Sequence, residues 1–239
     1  MNFDNFTNVA SSHERDLEMS RTFPALMRKV YVWMTLALVI TGVTAYGVAA
    51  SPSLIYTLMS SEYLFWGCLL GELGLVYFIS SRIMNLSLTT ATLLFIAYSI
   101  LNGVTMSFIF LVYTTSSIAN VFFITAGTFG AMSLIGYTTK RDLSKMGQLL
   151  MMALVGLIIA SFANILMKND TLSLIISYVG VVVFVGLTAW DTQKIKRMLA
   201  QADDISEDAQ KIALLGALTL YLDFVNLFLY LLRLLGKRN

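Results

Sequence analysis

The chain has 239 residues, of which 57% are hydrophobic and only 13% are charged. A soluble domain of this length carries roughly twice that share of charge, so the composition excludes a soluble globular protein and indicates one that crosses a membrane several times. The net charge of +2 gives no reason to expect nucleic acid, and the single histidine, His13, lies in the polar N-terminal stretch, which removes histidine metal sites and histidine bases from the membrane.

Seven apolar segments follow one another along the chain. Each is long enough to cross a bilayer as a helix, which needs about 20 residues and satisfies its own backbone in lipid. A polar tail, residues 1–25, precedes a single seven-helix transmembrane domain, residues 26–239, of the all-α class. Neither proline is expected inside a span, because Pro24 precedes the first and Pro52 follows it. The predicted spans are 30–50, 62–80, 87–112, 118–137, 147–167, 172–191 and 209–235.

Lysine and arginine in the connections indicate the orientation, because they concentrate on the cytoplasmic side of a membrane. Most of them lie in the N-terminal tail and after the second, fourth and sixth spans, which all fall on one side. The sequence therefore predicts a cytoplasmic N-terminus. The basic residues that follow the seventh segment fall on the other side, and they leave open a seventh segment that does not fully cross: Arg233, Lys237 and Arg238.

Three acids lie in the spans or at their edges, namely Glu72, Asp191 and Asp223. An acid at the centre of a spanning helix costs about 2.5–3.5 kcal/mol on insertion, which makes each of them a candidate functional residue. At 100° per residue, Asp223 shares one helix face with several polar side chains, so this face must meet protein or water. We interpret it as the lining of a pathway, with hydrogen bonding between helices as the alternative; the lining residues are Thr219, Asn226, Tyr230 and Arg233.

Asp191 and Asp223 stand at similar distances from a turn at about 203–207. In an antiparallel hairpin such residues lie at one depth, so we expect the two carboxyls to face each other near the cytoplasmic side. Adjacent carboxylates cannot both ionise cheaply; they share a proton and titrate as a pair. The pair is therefore predicted to sense pH. Deprotonated, it would offer hard oxygen ligands suited to Ca²⁺.

Three stretches resemble, in the right order, the signature motifs of the Bax inhibitor family of membrane proteins, especially its bacterial branch. The resemblance covers residues 20–236, nearly the whole chain. The stretches are GYTTKRDLSKMG (136–147), FVGLTAWDTQKIKR (184–197) and LYLDFVNLFLYLLRLLG (220–236).

The resemblance implies seven helices, with six surrounding a central C-terminal helix. It also implies a pH-sensitive Ca²⁺ leak gated by two hydrogen-bonded aspartates, which the motifs match to Asp191 and Asp223. An acid within the membrane and an arginine of the second helix act as gating partners in the family; Glu72 and Arg82 are the matching residues here. From the residues alone, Arg82 is slightly better explained as one more basic residue on the cytoplasmic side.

The predicted function is a passive, pH-sensitive calcium (cation) leak channel of the bacterial cytoplasmic membrane. It needs no cofactor; its expected partners are the lipid bilayer, Ca²⁺ and H⁺, with no nucleic acid, and the sequence assigns no protein partner. Alternatives are a membrane interaction or stress-regulatory protein without transport, and a proton-coupled transporter, although no broken helices or inverted repeats are evident. An enzyme is not expected. An intramembrane aspartyl protease would place its second aspartate in a Gly-x-Gly-Asp turn, whereas residues 220–222 are a plain helical run.

Overall fold

The computed structural model describes residues 3–202 and 204–239, with side chains for 22–64, 66–202 and 204–239. Most of the tail predicted over 1–25 therefore lies outside the described side chains. The α-helices of the described chain are α1 (Phe3–Ala49), α2 (Pro52–Ser60), α3 (Glu62–Arg82), α4 (Leu88–Met106), α5 (Ile109–Val112), α6 (Thr115–Thr138), α7 (Ser144–Met167), α8 (Asp170–Leu199) and α9 (Glu207–Leu235).

Within the described residues, seven helical segments are long and apolar enough to cross a membrane. This confirms the predicted all-α class with seven spans. The second span combines α3 with the 3₁₀ turn Ile83–Asn85, and the third combines α4 with α5. The other five spans are α1 from Thr22 onward and the whole of α6, α7, α8 and α9.

One proline differs from the sequence-based prediction, because α1 contains Pro24. The apolar span predicted over 172–191 is part of a longer helix, α8, which continues past Asp191 to Leu199. The reason is that hydropathy marks where a helix enters the apolar layer, whereas hydrogen bonding decides where it begins and ends. The short helix α2 was not predicted; it begins with Pro52, at a helix position where a missing N–H has no cost.

The last helix is the most buried of the spans. In α9, 67% of the apolar stretch is buried, compared with 6% in α3 and in α7. α9 packs directly against α1, α4, α6 and α8, while α3 packs mainly on α4 and α7 on α8. The two spans with the least buried surface are therefore spans that do not pack closely on α9.

Glycine permits close contact between two pairs of helices. A Cβ on Gly103 of α4 would lie 2.7 Å from the carbonyl oxygen of Thr41 in α1. A Cβ on Gly136 of α6 would overlap the backbone of Ala189 in α8. Small residues at such crossings are typical of helix packing in membranes, and here they serve packing within one chain.

The two ends of α9 are attached to opposite ends of the bundle. At its start, Glu207 Oε1 accepts a hydrogen bond from the Leu88 N–H, at the beginning of α4 (2.9 Å). Beyond its end, the Lys237 N–H donates to Ser117 Oγ, at the beginning of α6 (2.9 Å). Because α4 and α6 begin at opposite ends of the bundle, α9 runs through its full length, which answers the question left open by the basic C-terminus.

The outer surface of the spans is apolar, as contact with lipid requires. Large hydrophobic side chains on α3 and α7 are exposed, such as Tyr77 (76%), Met152 (71%) and Leu166 (85%). In a soluble protein such a surface would be an aggregation hazard. On these seven spans it is the surface of an integral membrane protein.

Candidate functional site

The side chains of Asp191 and Asp223 lie beside each other between α8 and α9, within range of direct interaction. Both are buried, with 6% and 5% of their surface exposed. Asp223 Oδ2 has no hydrogen-bond partner among the described residues. Because a buried oxygen without a partner is rare and costly, the pair retains the capacity to take a proton, a water molecule or a cation.

The antiparallel pairing of α8 and α9 brings the two aspartates together. Each helix runs unbroken through its aspartate. Ser206 caps the N-terminus of α9, because its Oγ accepts a hydrogen bond from the Ala209 N–H (3.3 Å). The two carboxyls lie together, as expected for residues at similar distances from the connection between α8 and α9. Residue 203 of that connection lies outside the described part of the chain.

A cavity of about 590 Å³ opens in front of this pair, and we call it the aspartate cavity. Residues of α3, α4, α7, α8 and α9 line it. Three residues of the predicted polar face, Thr219, Asn226 and Tyr230, line it together with the two aspartates. The polar face of α9 therefore borders a cavity. Among the described residues, no group of three or more His, Cys, Asp or Glu side chains could hold a metal ion, so the predicted Ca²⁺ ligands remain these two carboxyls alone.

A second cavity of about 520 Å³ lies further along the same face of α9, and we call it the arginine cavity. Arg233 of the predicted lining borders it, with Arg238 and the polar side chains of Ser161 and Asn164. Residues common to both cavities are Asn226, Leu229 and Tyr230. The polar face thus passes from one cavity to the next.

Glu72 lines the aspartate cavity from α3, but its carboxylate is bound by neutral donors. It accepts hydrogen bonds from Asn102 Nδ2 (3.1 Å) and Thr105 Oγ1 (2.5 Å), both on α4. Asn102 Oδ1 in turn accepts from the hydroxyl of Tyr221 (2.9 Å). That hydroxyl lies 2.7 Å from Thr41 Oγ1 of α1. This buried network therefore connects α3 to α4, α9 and α1.

The structure does not bring Arg82 to the aspartates. It lies exposed in the last turn of α3, outside the aspartate cavity, and forms no hydrogen bond or ion pair with the described side chains. The cation that acts on both aspartates is Lys194, which lines the cavity and follows Asp191 by one helical turn. In the sequence, Lys194 stood out only as one of the basic residues that follow the sixth span, although the i, i+3 spacing from Asp191 was a signal.

Side chains of the second signature stretch hold the backbone of the first. Gln193 Oε1 accepts from the Leu143 N–H (2.9 Å), and Gln193 Nε2 donates to the carbonyl of Arg141 (2.8 Å). Lys196 Nζ donates to the carbonyl of Tyr137 (2.7 Å). The connection between α6 and α7 is thereby fixed on α8, immediately after Asp191.

An ion pair adds to this attachment. Arg197 Nη2 donates to Asp142 Oδ1 over 2.8 Å. Hydrogen bonds from the hydroxyl and the N–H of Ser144, and then Arg197, lower the pKa of Asp142 from about 3.8 to about 2. Asp142 is exposed in the connection, and its carboxyl is ionised at every pH well above 2.

Comparisons with known proteins agree with the helices and motifs. The family model described as "Inhibitor of apoptosis-promoting Bax1" matches residues 24–239. The inner membrane protein YbhL of Escherichia coli K12 is 49% identical over 214 residues, covering 89% of this chain and 92% of that protein. An uncharacterised protein of Rickettsia prowazekii is 43% identical over 234 residues and covers 98% of both chains.

A further relative, an uncharacterised protein of Borreliella burgdorferi, is 46% identical over 213 residues, which are 89% of this chain and 92% of its own length. The family match includes the first span from residue 24 onward, the other six spans and all three motifs. Both aspartates, Lys194 and the polar face of α9 lie inside the matched region. The chain therefore belongs to the Bax inhibitor family of integral membrane proteins.

Proposed function

We propose that the chain is a passive, pH-sensitive leak channel for cations, Ca²⁺ in particular, whose pathway follows the polar face of α9. The observation that carries the proposal is the succession of two cavities along this face, with the buried pair of Asp191 and Asp223 in the first. A helix that only packs against its neighbours needs no such succession. A pathway needs it, together with charge of the sign that attracts the ion, which the two aspartates supply in the first cavity, whereas Arg233 and Arg238 make the second cavity positive.

The aspartate pair would attract the cation and respond to pH. Carboxylate oxygens suit Ca²⁺, and a proton shared by the pair changes its charge by one unit. Other titratable or charged groups face the same cavity: Glu72 from α3, Tyr98 from α4, Lys194 from α8 and Tyr230 from α9. The part contributed by α7 is apolar. The pair is the only place in this cavity where the described residues leave a buried carboxyl oxygen unpartnered.

The proposed function is not enzymatic and needs no cofactor. Both aspartates lie within continuous helices, so no irregular backbone beside them could bind an extended peptide substrate. The membrane is the bacterial cytoplasmic membrane, by analogy with the Escherichia coli relative YbhL, which is named an inner membrane protein. With the N-terminus in the cytoplasm, the aspartate cavity lies toward the cytoplasm and the arginine cavity toward the outside.

The test is Ca²⁺ flux into sealed liposomes that contain the purified protein and a Ca²⁺ indicator. Wild type should admit Ca²⁺ at a rate that varies between about pH 6 and 8, and Asp223→Asn should remove that variation. Asp142→Asn is the matched control, because it removes an exposed carboxyl outside both cavities. Identical pH profiles for wild type and Asp223→Asn would contradict the role of the pair. No flux above that of empty liposomes would favour an interaction protein without transport.

A further inference from the structure

Building on that function, we propose that the ring of Tyr230, seated on Gly180, is the closed gate between the aspartate cavity and the arginine cavity. Both cavities reach this ring, and of the residues that they share, Tyr230 is the one whose side chain extends across to α8. The inference concerns where the pathway is closed, which the charge of the aspartate pair does not decide.

The other two shared residues are less suited to close the pathway. Asn226 turns its amide back to its own helix, where Nδ2 donates to the carbonyl of Leu222 (2.8 Å). Leu229 has a flexible aliphatic side chain on a partly exposed position. Among the described residues, no glycine on a neighbouring helix makes room for either side chain, whereas Gly180 provides a seat for the ring of Tyr230.

That seat is built by α8. A Cβ added to the buried Gly180 would lie 2.7 Å from three carbons of the Tyr230 ring, so any larger residue would displace the ring. Phe184, one turn along α8, stacks on the ring with 5.8 Å between centroids and 30° between planes. The guanidinium of Arg233 lies 5.8 Å from the ring centre. Glycine at position 180 thus makes room for an aromatic ring between the two helices.

The surroundings of Tyr230 differ from those of a core aromatic residue. The core residue Tyr221 of the same helix is fully buried, whereas Tyr230 is only half-buried and borders two cavities with polar linings. Tyr230 follows Asp223 by seven residues, or two turns, which places it about 10 Å further along the same face. Because both cavities already reach the ring, its removal would join them without the movement of a helix.

Three variants test the gate by Ca²⁺ flux. Tyr230→Ala removes the ring and should raise the flux several-fold at every pH. Gly180→Ala should raise it as well, because the added methyl displaces the ring. Tyr230→Phe keeps the ring and is the matched control, with a flux close to that of wild type. A leaking wild type combined with unchanged or lower flux in Tyr230→Ala would overturn the gate and leave the proposed function standing.

Thiol accessibility tests the same gate without any ion flux. In a Cys68→Ser background, which removes the single cysteine, Thr219→Cys places a thiol in the aspartate cavity and outside the arginine cavity. A small charged methanethiosulfonate, added to either side of oriented vesicles, should label this thiol from one side only. With Tyr230→Ala in addition, labelling should occur from both sides.

The outcomes separate the two proposals. Two-sided labelling that depends on removal of the ring, in a protein without Ca²⁺ flux in any variant, would support the gate and overturn the leak function. One-sided labelling in the Tyr230→Ala protein, or two-sided labelling with the ring present, would overturn the gate. Each variant is first compared with wild type by size-exclusion chromatography and thermal melting, so that only folded protein is scored.

Discussion

The ammonium group of Lys194 lies 5.1 Å from the centre of the Trp190 ring, at the mouth of the aspartate cavity. A cation over an indole face is stabilised by the ring quadrupole, so Trp190 holds the lysine one turn beyond Asp191. In a cation pathway this positive charge competes with the permeating ion, because it offsets part of the attraction that the two aspartates exert on that ion. Lys194 is thus the positively charged side chain among the described residues that line the aspartate cavity.

Replacing Lys194 by methionine should raise Ca²⁺ flux into liposomes. Removing the positive charge of Lys194 from this cavity is worth on the order of 1 kcal/mol, or roughly fivefold in ion occupancy. Lys194→Arg should resemble wild type because it keeps the charge. Lys140→Met, an exposed change in the connection between α6 and α7, serves as the control. Lower flux in Lys194→Met than in wild type would contradict the assigned competition.

Replacing Asp223 by asparagine should stabilise the protein. When both carboxyls are ionised, Asp223 Oδ2 is buried without a partner, and an amide in its place could donate to Asp191, with a gain of about 1 kcal/mol in the free energy of unfolding. Thermal melting of the detergent-solubilised protein measures this as a higher Tm. Asp170→Asn, an exposed acid in the first turn of α8, should bring no rise. A lower Tm for Asp223→Asn would mean that the pair is stabilising as it stands.

Glu72→Gln should weaken the attachment of α3 to α4. The glutamine cannot accept hydrogen bonds from both Asn102 and Thr105 through two oxygens. The expected loss is about 1–2 kcal/mol of the free energy of unfolding, read as a lower Tm. Glu62→Gln, at the exposed start of the same helix, is the matched control and should melt like wild type. Equal melting of all three proteins would exclude Glu72 as the attachment of α3 to α4.

Gly147→Ala should disturb the ring that positions Lys194. A Cβ on Gly147 of α7 would overlap the indole of Trp190, and such overpacking costs about 1–3 kcal/mol. We expect a lower Tm and altered tryptophan fluorescence. Gly127→Ala has open space around the added methyl and should be neutral or slightly stabilising. Two variants that melt alike would contradict the close contact between α7 and Trp190.

The ion pair of Asp142 and Arg197 should contribute to stability down to strongly acidic pH. The pKa of Asp142 is lowered from about 3.8 to about 2 in the folded protein, so its contribution is complete above about 3.8 and is lost as the pH falls through about 2. The difference in Tm between wild type and Asp142→Asn should therefore be constant from pH 8 to pH 5 and shrink below pH 4. A difference that vanished between pH 8 and pH 6 would contradict this assignment.

Several features of the fold could be predicted because they are local. Spans depend on runs of apolar residues, and the polar face of α9 depends on a helical repeat, so both can be read from neighbouring positions. The similar depths of Asp191 and Asp223 followed from their distances to one turn. Pro24 was misplaced because hydropathy does not report where the helical hydrogen bonding of α1 begins.

Contacts between distant segments could not be predicted in this way. Arg82 was matched to a gating partner by the family resemblance alone, whereas its position on the exposed end of α3 depends on how α3 packs on α4. The partners of Glu72 lie 30 and 33 residues away on another helix. No periodicity in the sequence relates such positions.

The sequence by itself determined that this chain crosses the membrane seven times, that α9 carries a polar face and that two acids lie on neighbouring helices at similar depth, because each of these depends on local hydropathy and helical periodicity. Only the tertiary structure decided which charge meets which. It placed Lys194 instead of Arg82 in the aspartate cavity, gave Glu72 neutral partners and seated Tyr230 on Gly180. Those contacts depend on the rotation and spacing of packed helices, which a single sequence does not encode in any local pattern.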